Sequence, residues 1–199
     1  MKIRNKIIAL VISLIAIPSF ANAQMKTYFG AEYTWNKIDT GIQNISSNLD
    51  EKDNGYSIFL GIEPNKNLDV ELSYNDFGKA SLSGVNGNQF RIDDTIITFG
   101  GPGTLTIKAD SYGIALKPKA ELAPGFEVFG TLGYHMWDAE VNAVGVGGAL
   151  SGSEDGNDIF YGVGLKYTSG NLSAALTYTE YELDTENIKS TGIRAAYRF

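Results

Sequence analysis

Eight segments of this sequence alternate apolar and polar residues with a period of two, not with the 3.6-residue period of an amphipathic helix. They fall near 26–38, 54–64, 67–78, 105–118, 125–138, 158–168, 171–183 and 188–199. On an extended chain, side chains two positions apart share a face. One face runs Phe29, Ala31, Tyr33, Trp35 in the first segment and ends with Ile193, Ala195, Tyr197 and Phe199 in the last. No charged residue interrupts it. The other face carries Glu32, Glu63, Asp69, Glu71, Lys117, Lys119, Glu127, Lys166, Arg194 and Arg198 among Gly, Ser, Thr and Ala.

Which face meets the surroundings is decided by the tyrosines. If successive segments run up and down, Tyr33, Tyr56, Tyr74, Tyr112, Tyr134, Tyr161 and Tyr178 all fall near one end of the apolar face. Phe29, Phe126, Tyr167, Tyr197 and Phe199 make a sparser ring near the other end. Amphipathic rings favour the membrane–water interface, so two aromatic girdles around an aliphatic band place the apolar face in lipid. A soluble sandwich would instead bury that face as a core.

The first 23 residues fit this reading. "MKIRNK" is a cationic start, "IIALVISLIAIPSF" an apolar stretch, and "ANA" a small-x-small cleavage site, which predicts a signal peptide cut after Ala23. A barrel domain is then expected over 24–199. Without Lys2, Arg4 and Lys6 the cations fall to 13 against 23 carboxylates, a formal charge of −10. That surplus argues against a nucleic-acid partner, which requires a basic patch. There is no cysteine. No later stretch is apolar enough for a membrane helix, so membrane insertion requires a closed barrel, which also satisfies every backbone group in lipid.

The connections alternate in character. "PNKN", "AELAPG" and "SGN" are short and turn-like, whereas "DTGIQNISSNLDEK" and the stretches near 79–104 and 139–157 are long and polar, and "DTEN" is brief. The fold expected is all-β: an eight-stranded antiparallel up-and-down transmembrane β-barrel with short periplasmic turns and longer extracellular loops.

Several stretches resemble the eight-stranded barrel domain of outer membrane protein A and its small relatives of the outer membrane protein X type. "FGAEYTWNKIDTG" is similar to the first strand and loop entry, "LDVELSYNDFG" to the third strand and "GIALKPK" to the fourth. "FEVFGTLGYHMWDAE" is similar to the fifth strand, "DIFYGVGLKYT" to the sixth and "AAYRF" to the last. The resemblance implies location in the bacterial outer membrane and a plugged or narrow lumen. It also implies that the outer-membrane assembly machinery reads the terminal pattern Ile193, Ala195, Tyr197, Phe199. Large members of the family add a periplasmic peptidoglycan-binding domain, for which this sequence has no residues after its last strand. Further partners expected are outer-membrane lipid and lipopolysaccharide, and a surface ligand held by the loops. A monomer is expected, since a closed barrel has no free edge.

In the family, inward acidic and basic residues act as a salt-bridge gate. Glu71 and Lys119 match that pattern; Lys166 stands where it has an acid and Ala175 where it has an arginine. The expected substitute is a lumen cluster of Glu32, Glu71, Lys119, Glu127, Lys166, Arg194 and Arg198. In it Glu71 would bridge Lys119 and Lys166, and Arg194 or Arg198 would meet Glu32 or Glu127.

Some small outer-membrane barrels are enzymes, but the only histidine, His135, has Gly133 and Trp137 as its same-face neighbours and no serine or threonine beside it. No catalytic residue, cofactor or metal is expected, and "NLDEKDN" and "SEDGND" lack the spacing of a dedicated calcium loop. The function expected is structural, in envelope integrity. The alternatives are adhesion through the loops, with "SGVNGNQFRIDDTIITFGGPG" as a candidate binding segment or an extension of strands three and four, and a small or gated pore.

Overall fold

A computed structural model describes residues 25–199; the signal peptide expected over 1–23 lies outside the described residues. Eight long strands form a closed antiparallel ring: β1 (Lys26–Ile38), β4 (Lys52–Asn65), β5 (Leu68–Gly84), β8 (Gly103–Ala123), β9 (Phe126–Gly145), β10 (Gly148–Ser169), β11 (Leu172–Leu183) and β12 (Glu186–Arg198). Each pairs with the next, and β12 returns to β1 through a ladder running from Tyr28 opposite Arg198 to Ile38 opposite Ile188. Closure leaves no unpaired edge within the ring, which is what a sheet in lipid requires.

Turns at one end are tight. Gly125 and Gly170 take φ of 80° and 60°, a left-handed backbone that glycine adopts without steric cost. At the other end the strands continue well past the tyrosines. β5 bulges between Asp76 and Lys79, with Gly78 at φ 77°, and then climbs to Gly84 alongside β8. β9 and β10 form a hairpin to Gly145 and Gly148. Four short strands sit there as well. β2 (Ile42–Asn44), β6 (Gln89–Ile92) and β7 (Thr95–Thr98) make a three-stranded sheet, and β3 (Asn48–Asp50) pairs with β5.

These extensions correct the sequence reading, which ended its strands near 78 and 138, began others near 105 and 158, and treated 139–157 as a loop. Of the two readings of 79–104, its ends extend strands three and four, and its middle folds into β6 and β7. Above the membrane both faces of a sheet meet water, so "VNAVGVGGALSGSEDGND" forms a ladder without apolar–polar alternation to announce it.

Side-chain direction follows the alternation. Ile58, Leu132 and Val163 are more than half exposed on the outside, whereas inward His135, Asn75 and Ser111 are sealed from solvent. Tyr33 stands directly opposite Tyr56, and Tyr74 opposite Tyr112. The Tyr74 ring lies 6.3 Å from Tyr56 and 5.0 Å from Tyr112. Tyr134, Tyr161 and Tyr178 also project outward. At the lower rim Phe29 stacks on Phe199 at 5.8 Å, and Phe126 meets Tyr167 at 4.6 Å.

Candidate functional site

The lumen is the chemically distinctive part of the molecule, and it is layered. Inward positions of β4, β5, β8, β9, β10 and β12 bring six charges together at the turn end. Arg198 meets Glu63 at 3.7 Å, Glu63 meets Lys119 at 3.6 Å, and Lys119 meets Asp69 at 2.6 Å. Asp69 in turn meets Lys166 at 3.7 Å, and Lys166 meets Glu127 at 2.6 Å. The chain of charges alternates in sign and is neutral as a whole.

A second neutral layer lies above it. Glu71 takes Lys117 at 3.1 Å and Arg194 at 2.7 Å, and Arg194 also reaches Glu32 at 3.5 Å. The Tyr28 hydroxyl donates to Glu71 at 3.1 Å, and Thr177 donates to Glu32. Two aromatic faces flank the cations: the Arg194 guanidinium lies 3.7 Å from the Phe59 centroid and the Lys117 ammonium 4.7 Å from that of Phe129. Such contacts stabilise a desolvated cation by roughly 2 kcal/mol. Free space beside these layers is about 40 Å³, room for about three waters at roughly 10–15 Å³ each.

All ten inward charges are therefore paired, but not as the sequence reading paired them. Glu71 bridges Lys117 and Arg194, not Lys119 and Lys166; Lys119 and Lys166 share Asp69 instead. Arg194 does reach Glu32, while Arg198 finds Glu63. The reason is geometric. In the β5–β8 ladder Asp69 lies opposite Lys117, and Glu71 opposite Ala115. Each acid nevertheless reaches diagonally to the lysine two positions further along, a shift that strand tilt imposes in a small barrel.

Towards the outer end the lumen becomes apolar, which the sequence reading did not anticipate. Phe160 stacks on Tyr181 at 5.0 Å, and Phe77 meets Tyr181 at 4.7 Å. Ile38, Ile188, Ala80 and Ala109 pack around them. His135 is sealed inside this cluster, edge-on to Phe160 at 5.6 Å and to Tyr181 at 5.4 Å, with Nε2 2.8 Å from the Glu182 carbonyl. The available signal was the inward parity of Phe59, Phe129, Trp137, Phe160 and Tyr181, each on the same side as the charges. Higher still, Ile42 and Phe90 of the three-stranded sheet form a separate apolar cluster with Leu82 of β5.

The terminal strand holds Arg194 inward and Ile193, Tyr197 and Phe199 outward. The Phe199 amide donates to the Thr27 carbonyl at 2.9 Å, so the last residue still belongs to the closing seam.

The architecture is similar to that of solved outer-membrane barrels. Ail, the attachment invasion locus protein of Yersinia pestis, solved in complex with the heparin analogue sucrose octasulfate, has a TM-score of 0.55 at 16% identity. The match covers 89% of this chain and all of Ail. Neisserial surface protein A gives 0.57 at 12% identity, covering 87% of this chain and 97% of the other. OprG of Pseudomonas aeruginosa gives 0.51 at 12%, covering 89% and 96%. No curated protein matches the chain by sequence. The outer membrane protein beta-barrel domain matches residues 7–199. A closed ring with a lipid-facing exterior and a paired, plugged lumen thus comes together with a match over nearly the whole sequence, and the chain belongs to this family of bacterial outer-membrane β-barrels.

Proposed function

We propose that the protein is a sealed, non-enzymatic structural barrel of the outer membrane that carries an extracellular sheet on a rigid base. The observation that carries this reading is the double closure of the lumen. Two neutral ion-pair layers occupy its periplasmic half, and the Phe77–Phe160–Tyr181 cluster fills its outer half. Ions would have to cross both. Glu32, Glu71, Lys119, Glu127, Lys166, Arg194 and Arg198 then serve as a polar core and not as a regulated gate. His135 supports the absence of catalysis: its ring is enclosed by aromatics, and a backbone carbonyl occupies Nε2. In this reading the assembly machinery recognises Ile193, Ala195, Tyr197 and Phe199, and the barrel is monomeric because its ring is closed.

A second reading, surface recognition, is favoured by the outer hairpin. Val144, Val146 and Leu150 are highly exposed beside a concavity lined by Leu82, Phe90 and Phe99. Its ligand would differ in charge from the polyanion bound by Ail. Across 37–53, 79–110, 138–158 and 180–189, this sequence has 16 carboxylates against 6 cations.

Planar-bilayer recording of the folded protein tests the first reading. Silence over a wide voltage range, with detergent sensitivity in a strain lacking the protein, is the expected result; steady single-channel conductance would overturn it. Loss of cell binding on deletion of 143–150 would establish the second.

A further inference from the structure

The outward face carries an unusual row of like charges. Lys37 of β1 lies directly opposite Lys52 of β4 on one side and Lys189 of β12 on the other. Adjacent strands are about 4.8 Å apart, and like charges directly opposite one another destabilise a sheet. The protein offsets them only in part. Glu51 lies 4.0 Å from Lys37 and Glu180 lies 3.9 Å from Lys189, both at the limit of an ion pair. The other oxygen of Glu51 holds the Thr40 amide and hydroxyl. Among the described residues no ion pair includes Lys52. Asp53, also at this site, accepts from the backbone amides of Asn54 and Lys79.

The three lysines rim an open concavity of ≈ 430 Å³ whose floor includes Trp35, Asn54 and Tyr178. Trp35 is half exposed and stacks edge-on with Tyr33 at 5.2 Å. The row lies four residues beyond Tyr33 and Tyr56, about 13 Å along strands that rise roughly 3.3 Å per residue. With the strand tilt of such barrels this is about 10 Å above the tyrosine girdle, at the depth of lipid headgroups. The neighbouring staves do not continue the pattern around the ring. β11, next to β12, presents Glu180 directly opposite Lys189 and then Glu182, and further round the ring β10 presents Asp155 and β9 presents Asp138 and Glu140. Towards β5 and β8 the charges are mixed: Asp76 stands opposite Asp110 just beyond the tyrosines, and Lys79 opposite Lys108 above them.

We propose that Lys37, Lys52 and Lys189 form a binding site for the phosphate of an outer-leaflet lipid headgroup, seated against Trp35. Three ammonium groups converge at the depth where lipid phosphates are concentrated, and amphipathic rings directly below can pack against the sugar or acyl junction. Lysine suits a phosphate as a compact point charge without demanding one bidentate geometry. The site lies on the barrel wall and stands whether or not the outer hairpin binds a surface ligand.

The test uses the full barrel folded in phosphatidylcholine nanodiscs, with Trp35 emission as the reporter. Trp137, enclosed in the barrel, gives a constant background. Bisphosphorylated lipid A is expected to bind at least ten-fold more tightly than dephosphorylated lipid A. K37Q/K52Q/K189Q is expected to lose that preference, and K26Q/K66Q, at the opposite rim, to keep it. K52Q alone breaks no ion pair and is expected to weaken binding at least three-fold, which keeps the test informative if the triple variant does not fold. The proposal is overturned if the dephosphorylated lipid binds equally well, if K52Q or the triple variant binds as the parent does, or if K26Q/K66Q loses as much. Saturation by inorganic phosphate at the same concentration as the lipid would make this a free-anion site and overturn it as well.

Discussion

Phe59 lies directly across the β1–β4 ladder from Gly30, and its ring occupies the space where a methyl group on Gly30 would stand. Four more cross-strand pairs repeat the arrangement: Tyr28 over Gly61, Phe160 over Gly133, Trp137 over Gly156 and Phe129 over Gly164. An eight-stranded barrel is just wide enough for its own side chains. A large inward ring fits only where the neighbouring strand contributes none. The glycines on the inner face are thus the sockets that let aromatics fill the lumen.

Alanine at Gly164 is therefore expected to destabilise the barrel, because the added methyl collides with the Phe129 ring. Overpacking of this kind costs about 1–3 kcal/mol. Gly152 lies on the same strand with nothing near its Cα substituent position, so G152A is the control and should stay within about 0.5 kcal/mol of the parent. Urea unfolding in lipid vesicles measures both. Equal midpoints for the two variants would refute the socket argument.

Neutralising Glu71 tests the upper charge layer. Among the described residues its carboxylate is the one acidic ion-pair partner of Lys117 and one of two for Arg194. Breaking a buried pair leaves an uncompensated charge at a cost of about 3–5 kcal/mol. E71Q should lose stability on that scale. E180Q removes only the long contact to the half-exposed Lys189 and should change stability by about 0–1 kcal/mol. A loss for E71Q no larger than that for E180Q would mean that water already solvates the layer.

The face assignment was legible in the sequence because lipid enforces it. Every outward position from Phe29 to Trp35 and from Ile193 to Phe199 must be apolar or aromatic, so the alternation is clean. Pairing inside the lumen was not. Asp69 and Glu71 share a face, as do Lys117 and Lys119, and only the stagger between β5 and β8 decides which acid meets which lysine. The outer extension of β9 and β10 was hidden for the opposite reason: with water on both faces, nothing selects a period.

The extracellular turn offers a pH test. Burial, followed by the neighbouring carboxylate of Asp39 and those of Asp93 and Glu51, holds the Glu186 carboxyl above its ordinary value. Between the unfolded and folded values the folded state binds a proton that the unfolded state does not, so stability falls as pH rises through that window. Acidification from about pH 7 to pH 4, near the ordinary glutamate value, should strengthen this end of the molecule. Amide exchange in the β11–β12 turn should slow relative to E186Q, in which the dependence is removed. Taking the difference from E186Q cancels the opposing loss of ion pairs elsewhere. An identical pH dependence in the two proteins would exclude Glu186 as its source.

If the charge layers and the aromatic cluster are barriers in series, removing one should leave the lumen closed. F160A/Y181A opens the outer half but keeps Glu71, Lys117 and Arg194 paired below it, and is expected to remain silent in a planar bilayer. E71Q loosens the ionic half but leaves the stacked Phe160 and Tyr181 above, and should also be silent. Only a variant that joins these changes to D69N, which breaks the lower charge layer where Asp69 holds Lys119 and Lys166, is expected to conduct. Each large-to-small change costs about 3–5 kcal/mol, so the heat-dependent shift in gel mobility must first show that every variant is folded. Conductance in F160A/Y181A alone would assign the seal to the aromatics. Conductance in E71Q alone would instead restore a gate built on the ion pairs, with Glu71 at its centre.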